Sequence, residues 1–447
     1  MTIEVRLLHM KRVYTEKNFD RRRRRRPSRL GRFSARNPKV WVAGIVLVLI
    51  FLFFISCLLA MADANMGPAI SATSKQIKAP AGNKPSPPGL WANAAAMIDA
   101  ESGRVLYEKN GDVKLPMAST TKMMTALVVR DRCKLTDKVQ VTKDSANVGE
   151  EGIGLTAGET LTVDQLLNAM LIQSANDAAA ALADHVSGSV SSFAELMNKK
   201  AVEIGAGRSH FVNPHGLDAP DHYSTALDLA IIGRAFMADP VLAKIAGTPN
   251  YSIPWPGHPG PRVAVGHNEI LARYPSANGI KTGYTVPAGW CLVASAAQNG
   301  KSLIASVLNS PHRADDAMAL FNYGFGSTER IVFARAGQNL GSCRVSAFPK
   351  RSVPVVAQSN MAALTFKGSK DVFDLRESFL RAAGRGVKAG EQLGKIEVSL
   401  NSEPLETGKA VAKKTEGRPN VLAGIVAFVW YSLCWSGKII AAPFRVF

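Results

Sequence analysis

Cysteine is scarce: the 447 residues include five, Cys57, Cys133, Cys291, Cys343 and Cys434, and no two form a Cys-x-x-Cys pair. That excludes a zinc ribbon and a disulfide framework. A Cys133–Cys343 bridge stays open. The eight histidines supply no His-Glu-x-x-His. His210, His215 and His222 gather loosely, at a spacing that matches no familiar metal set, so no metal and no cofactor is implied. Internal repeats are lacking. Acidic residues are outnumbered, 35 against 54 Lys and Arg, for a net charge of +19. The excess is local, because residues 1–39 hold 14 Lys and Arg against 3 acids, a net of +11. The remaining 408 residues carry only +8, and a nucleic-acid partner is not required to explain the charge.

The basic tail, 1–39, includes the run Arg21 to Arg26 and has nothing from which to build a core, so disorder is its default. Residues 40–62 follow, an uncharged apolar stretch of 23 residues. That is long enough to span a bilayer, and arginines directly before it place the tail in the cytoplasm and export the rest. Retention as an anchor and cleavage near Ala60-Met61-Ala62 both fit. Residues 63–89 are rich in Ala, Pro, Ser and Gly and read as a linker. Near the other end, 420–437 holds an apolar, Trp-containing segment. It suits a membrane span, an interfacial helix or a buried helix.

Between these ends the chain reads as globular. Ala94–Ile98, the turn Asp99 to Arg104, and Val105–Tyr107 read as strand, turn, strand. Helices are predicted from the Ser119 region, from Thr160 to Ala183 with a cap at Thr162, from Ser192 to Ile204 and from Thr225 to Met237. Strands return at Trp290–Ala296 and Leu303–Leu308, followed by a helix over Asp315–Tyr323. The order implies an α/β domain over 90–329, with helices packed on a mostly antiparallel sheet. Beyond it, short strand-like runs at Arg344–Ala347, Val353–Ala357, Ala362–Phe366 and Lys395–Leu400 predict a small all-β domain over 336–412. Lys409 to Pro419 reads as a charged linker.

Three short motifs carry the chemistry. Ser119-Thr120-Thr121-Lys122 is the only Ser-x-x-Lys in the chain. At a helix start it sets an amine on the same face as a hydroxyl. A serine needs a base to become a nucleophile, and a buried lysine can be neutral enough to serve. Alone, the motif more often marks a capped core helix. Ser174-Ala175-Asn176 alone marks little more than a cap. Lys281-Thr282-Gly283, at the head of a predicted strand, places a cation and a hydroxyl on a sheet edge. Gly283 leaves room for a ligand there.

Taken together and in this order, 55 and 107 residues apart, they match the Ser-x-x-Lys, Ser-x-Asn, Lys-Thr-Gly set of the penicillin-recognising serine enzymes. The surroundings Met97 to Gly103, Asn213-Pro214-His215-Gly216-Leu217, His222 to Ala226 and Ala288 to Leu292 resemble the D-alanyl-D-alanine carboxypeptidases, the S11 serine peptidases. Gly390 to Ile396 resembles that family's small C-terminal module. The resemblance implies a penicillin-binding/β-lactamase-like fold. It also implies removal of the terminal D-alanine from peptidoglycan stem peptides through an acyl-enzyme, with β-lactams as acylating inhibitors. It makes Ser119 the nucleophile, Lys122 its base, Ser174 a proton relay to the leaving amine and Asn176 a substrate hydrogen-bonder. Lys281 supplies positive potential. The N–H groups of Ser119 and Tyr284 form the oxyanion hole, Gly283 lines the strand, and Thr282 and Arg313 hold the substrate carboxylate. His215, His222 and Cys291 read as structural. DD-endopeptidase action uses the same residues. A β-lactamase often needs a further glutamate, for which Glu195 is the nearest lookalike but reads as an exposed helix residue. A non-catalytic wall-binding protein is the remaining alternative. The expected place is the cell envelope, membrane-attached, with the catalytic domain on the extracytoplasmic side.

Overall fold

The computed structural model describes residues 38–64, 70–255, 257–346, 350–383 and 385–417, together with Leu422, Ile425 and Val426. The basic run Arg21–Arg26, Cys434 and most of 420–437 lie outside the described residues.

Pro38–Ala64 is a single 27-residue helix. Its window Trp41–Leu58 contains no charge, has a mean hydropathy of 2.9, and is long and apolar enough to cross a membrane.

The motif Lys281-Thr282-Gly283 sits on a five-stranded antiparallel sheet. Its spatial order is Val105–Lys109, Ala94–Asp99, Lys301–Leu308, Gly289–Gln298 and Ala277–Thr285. Every residue of Ala94–Asp99 is buried. Helix Ala226–Ala238 packs on one face and Arg313–Ser327 on the other, so this strand reads as an unbroken apolar run. The all-helical layer, Lys122–Arg132, Val163–Ile172, Asn176–Ser187 and Val190–Glu203, shares a core with the first face. Thr162 caps its helix in a reciprocal box: its Oγ1 accepts from Gln165 N at 3.1 Å, and Gln165 Oε1 accepts from Thr162 N at 2.8 Å.

After residue 328 the elements described as far as 412 are strands. Thr328–Ala334 pairs with Met361–Phe366. A six-stranded sheet runs Ile70–Lys78, Val372–Leu380, Gln392–Leu400, Glu403–Ala412, Arg351–Ala357, Asn339–Ser346. Two sequence readings are corrected by it. Within the expected linker 63–89, residues Ile70–Lys78 form an edge strand with nine residues in register against Val372–Leu380. Its alternation of Ile, Thr and polar residues needs only one half-buried face. Likewise Lys409–Ala412, expected in a charged linker, completes the strand Glu403–Ala412. The Cys133–Cys343 bridge is also excluded: both thiols are free, and Cys343 is buried within the six-stranded sheet.

Candidate active site

Ser119 lies in a 3-10 turn, Ala118–Thr121, and the α-helix proper begins at Lys122. Ala118 has φ of 50°, the left-handed region that non-glycine residues avoid. Thr120 Oγ1 donates to Met117 O at 2.6 Å and Thr121 Oγ1 to Ala118 O at 2.8 Å, which ties the turn to itself. Two glycines press on it from outside. A Cβ on Gly216 would lie 2.0 Å from Ala118 O, and one on Gly283 would lie 2.9 Å from Ser119 N. Gly283 therefore makes room for the backbone of Ser119 itself.

His222 braces the turn. The Val212 N–H donates to His222 Nδ1 at 3.1 Å, so Nδ1 carries no proton. The proton is on Nε2, which donates to Thr121 Oγ1 at 2.9 Å. Burial, and next His210, push His222 down to about 4. His215 falls to about 3 through burial and the charge of Lys122. Both rings are thus neutral and structural.

Lys122 is fully buried. Its Nζ lies 2.8 Å from Ser119 Oγ, 2.7 Å from Asn176 Oδ1 and 2.6 Å from His215 O. The last two are carbonyl oxygens and only accept. A neutral amine has two N–H bonds and one lone pair. Asn176 and His215 take the two N–H bonds, and the lone pair points at the Ser119 hydroxyl. Burial, followed by the charge of Lys281, holds the Lys122 ammonium well below its usual range. The arrangement is that of a base hydrogen-bonded to a nucleophile.

Asn176 opens the helix Asn176–Ser187, where its Nδ2 donates to Gly149 O at 3.0 Å and its N to Glu151 O at 2.7 Å. Ser174, with φ of 69°, is nearly buried at the turn before that helix. Lys281 is central in the strand Ala277–Thr285, not at its head, because the pairing with Gly289–Gln298 already begins at Ala277. Burial lowers Lys281 to about 8, with Glu151 opposing that fall and Arg313 adding to it.

These side chains line one cleft of about 470 Å³: Ser119, Ser174, Lys281, Thr282, Gly283, Tyr284 and Arg313. Arg313 is partly committed elsewhere. Its Nη1 donates to Gly283 O at 3.2 Å and Cys291 O at 3.3 Å, its Nε donates to Glu269 at 3.2 Å, and its guanidinium lies over Trp290 at 4.8 Å. Cys291 is buried, and burial pushes its thiol up to about 11, which suits a filler and not a nucleophile. Sequence reasoning missed Glu150, Glu151, His267 and Trp290, which also line the cleft. Only the alternation along the strand, which puts Trp290 opposite Tyr284, could have signalled any of them. Glu195 is exposed on Val190–Glu203 and takes no part in the cleft.

A model of the D-alanyl-D-alanine carboxypeptidase family matches residues 81–312. The chain is 30% identical over 349 residues to D-alanyl-D-alanine carboxypeptidase DacF of Bacillus subtilis, an overlap of 76% of this chain and 88% of the relative. It is 34% identical over 340 residues to DacC of Escherichia coli, covering 71% and 82%. Among solved structures, penicillin binding protein 5 from Haemophilus influenzae superposes with a TM-score of 0.60 at 28% identity, over 74% of this chain and 99% of that one.

Proposed function

Because the chain belongs to the D-alanyl-D-alanine carboxypeptidase family, we propose that it removes the terminal D-alanine from peptidoglycan stem peptides through an acyl-enzyme at Ser119. The observation that carries this reading is the Lys122 Nζ, buried, held by two carbonyl oxygens and 2.8 Å from Ser119 Oγ. Lys122 takes the hydroxyl proton as Ser119 Oγ bonds to the carbonyl carbon of the penultimate D-alanine. The Ser119 and Tyr284 N–H groups receive the oxyanion. Ser174 passes a proton to the leaving amine, D-alanine departs, and water then hydrolyses the ester. Lys281, Thr282 and the unused Nη2 of Arg313 hold the substrate's carboxylate, and Asn176 hydrogen-bonds the substrate amide. A β-lactam enters the same path and stalls as the ester.

Benzylpenicillin should add its mass to the peptide carrying Ser119, and Ser119→Ala should remove the labelling. Labelling that persists in Ser119→Ala overturns the assignment. Incubation with a pentapeptide muropeptide should remove one alanine, whereas cleavage of cross-linked dimers alone would mark an endopeptidase.

The enzyme acts outside the cytoplasm, attached through the helix Pro38–Ala64, with 90–329 as its catalytic domain and 336–412 as a β-rich companion. The arginines ahead of that helix set the orientation. A periplasm-dependent reporter fused after residue 330 should be active, and activity of a cytoplasm-dependent reporter there would refute this topology.

A further inference from the structure

Far from the cleft, Cys133, Asp137 and His185 bring one ligand atom each to within 4.8 Å of one another. The three are separated along the chain by four and forty-eight positions, so no spacing motif announces them, and the sequence gives no reason to expect a metal. Cys133 caps the C-terminus of Lys122–Arg132, and His185 occupies the last turn of Asn176–Ser187. The negative ends of two helix dipoles therefore converge where the three donors meet, a placement that favours a cation. The donors are also uncommitted. Among the described residues no protein group hydrogen-bonds Cys133 Sγ or the His185 ring, and Asp137 uses only Oδ2, accepting from Lys134 N at 2.8 Å.

We propose that Cys133, Asp137 and His185 bind a borderline divalent metal ion of the zinc class, with water in the fourth position. Sulfur, imidazole nitrogen and carboxylate oxygen are the donor types such an ion prefers. One thiolate, one carboxylate and a neutral imidazole cancel its two charges. Tetrahedral coordination brings the donors to about 3.3–3.6 Å from each other, a closure of up to about 1.5 Å that rotamer changes of the exposed His185 and the half-buried Cys133 and Asp137 side chains together supply. Cys133 releases its proton to solvent as the sulfur–metal bond forms. Arg132 and Lys134 flank Cys133, but both are exposed, and water and salt screen them.

The position also says what the ion does. Lys122–Arg132 and Asn176–Ser187 begin at the two residues whose side chains meet in the active site, at 2.7 Å. The metal joins the same two helices at their opposite ends, about 16 Å away. It clamps the pair that carries the base and its holder, and takes no part in the reaction.

The test uses the full, untagged chain in detergent, stripped with a chelator and titrated with Co²⁺. One equivalent should give a thiolate-to-cobalt charge-transfer band and the visible bands of a tetrahedral site, and Zn²⁺ should displace both. Cys133→Ser should lose the charge-transfer band. Asp137→Asn and His185→Gln should bind at least about tenfold more weakly. Zn²⁺ at a hundredfold excess over its Kd should raise Tm by about 5 °C or more and leave the benzylpenicillin acylation rate unchanged. Absence of the bands, their survival in Cys133→Ser, or unchanged binding in both Asp137→Asn and His185→Gln (a lone thiol at work) overturns the proposal. If Cys133→Ser fails to fold, the other two variants still decide.

Discussion

Two buried lysines share the site, and each needs the opposite protonation state. In the proposed mechanism Lys122 acts as a base, which requires it neutral, while Lys281 helps bind the carboxylate, which requires it charged. Burial pushes both down, and each fall helps one role and endangers the other. Acylation should therefore rise with pH as Lys122 loses its proton, well below the usual lysine range. It should fall again near about pH 8 as Lys281 loses its charge. Arginine stays protonated in proteins, so Lys281→Arg should retain a measurable rate and lose the alkaline decline. Lys122→Arg keeps charge but holds no lone pair, and should lower acylation by about a hundred- to ten-thousandfold. The measurement is the second-order rate of β-lactam acylation from pH 5 to pH 10, with folding checked by thermal melting. An alkaline limb that survives in Lys281→Arg would remove Lys281 from its role. A folded Lys122→Arg that acylates as fast as Lys281→Arg would remove Lys122 from its own.

The elements differ in how much of themselves they write into sequence. The helix from Val163 was legible because Thr162 and Gln165 cap it locally, and the strands Ala94–Asp99 and Gly289–Gln298 because both faces are covered and apolar residues run together. The grouping of Ser119, Lys122, Ser174, Asn176 and Lys281 was legible because these fall in short motifs, and the fold brings them together at one cleft. Residues that reach the cleft from loops were not. Glu150, with φ of 64°, and Glu151 sit in an irregular segment, and His267 is on another, where no periodicity connects them to Ser119. Partly exposed strands were the other blind spot. Ile70–Lys78, at an edge of the six-stranded sheet, and Glu403–Ala412, between two of its strands, are polar because each keeps exposed positions, so their composition reads as linker. The cluster Cys133, Asp137, His185 depends on two helices ending side by side, which is a packing fact and not a pattern.

At the scale of the whole described chain, the five-stranded sheet and the β-rich region are joined through the turn after Ala94–Asp99. Arg104 Nη2 meets Asp371 Oδ2 at 2.5 Å, and its Nη1 donates to Leu364 O at 2.7 Å. The guanidinium also lies over the Phe373 ring. Asp99 Oδ2 accepts from Leu364 N at 3.0 Å, while Arg330 grips Glu101 with two nitrogens. The stretch Asp99 to Arg104, which the sequence offers only as a hairpin turn, is thus the joint between the two regions. Arg104 and Asp371 are both largely buried. Removing one partner strands the other charge away from water, a loss of about 3–5 kcal/mol. Burial alone would raise Asp371, but hydrogen bonds from Ser369, Thr365 and Arg104 hold its carboxyl below the usual range. The stability it adds is present above the ordinary carboxylate pKa. It is lost as pH falls through the lowered folded value, because the unfolded chain takes up the proton first. Arg104→Ala should therefore lower Tm at neutral pH, and the gap to wild type should narrow as the solution is acidified. The Lys122–Ser119 geometry lies on other elements, so the variant should still acylate at close to the wild-type rate at temperatures where it is folded. Thermal melts at several pH values beside acylation rates make the check. An Arg104→Ala protein that melts like wild type at neutral pH would show that the two regions are held together elsewhere.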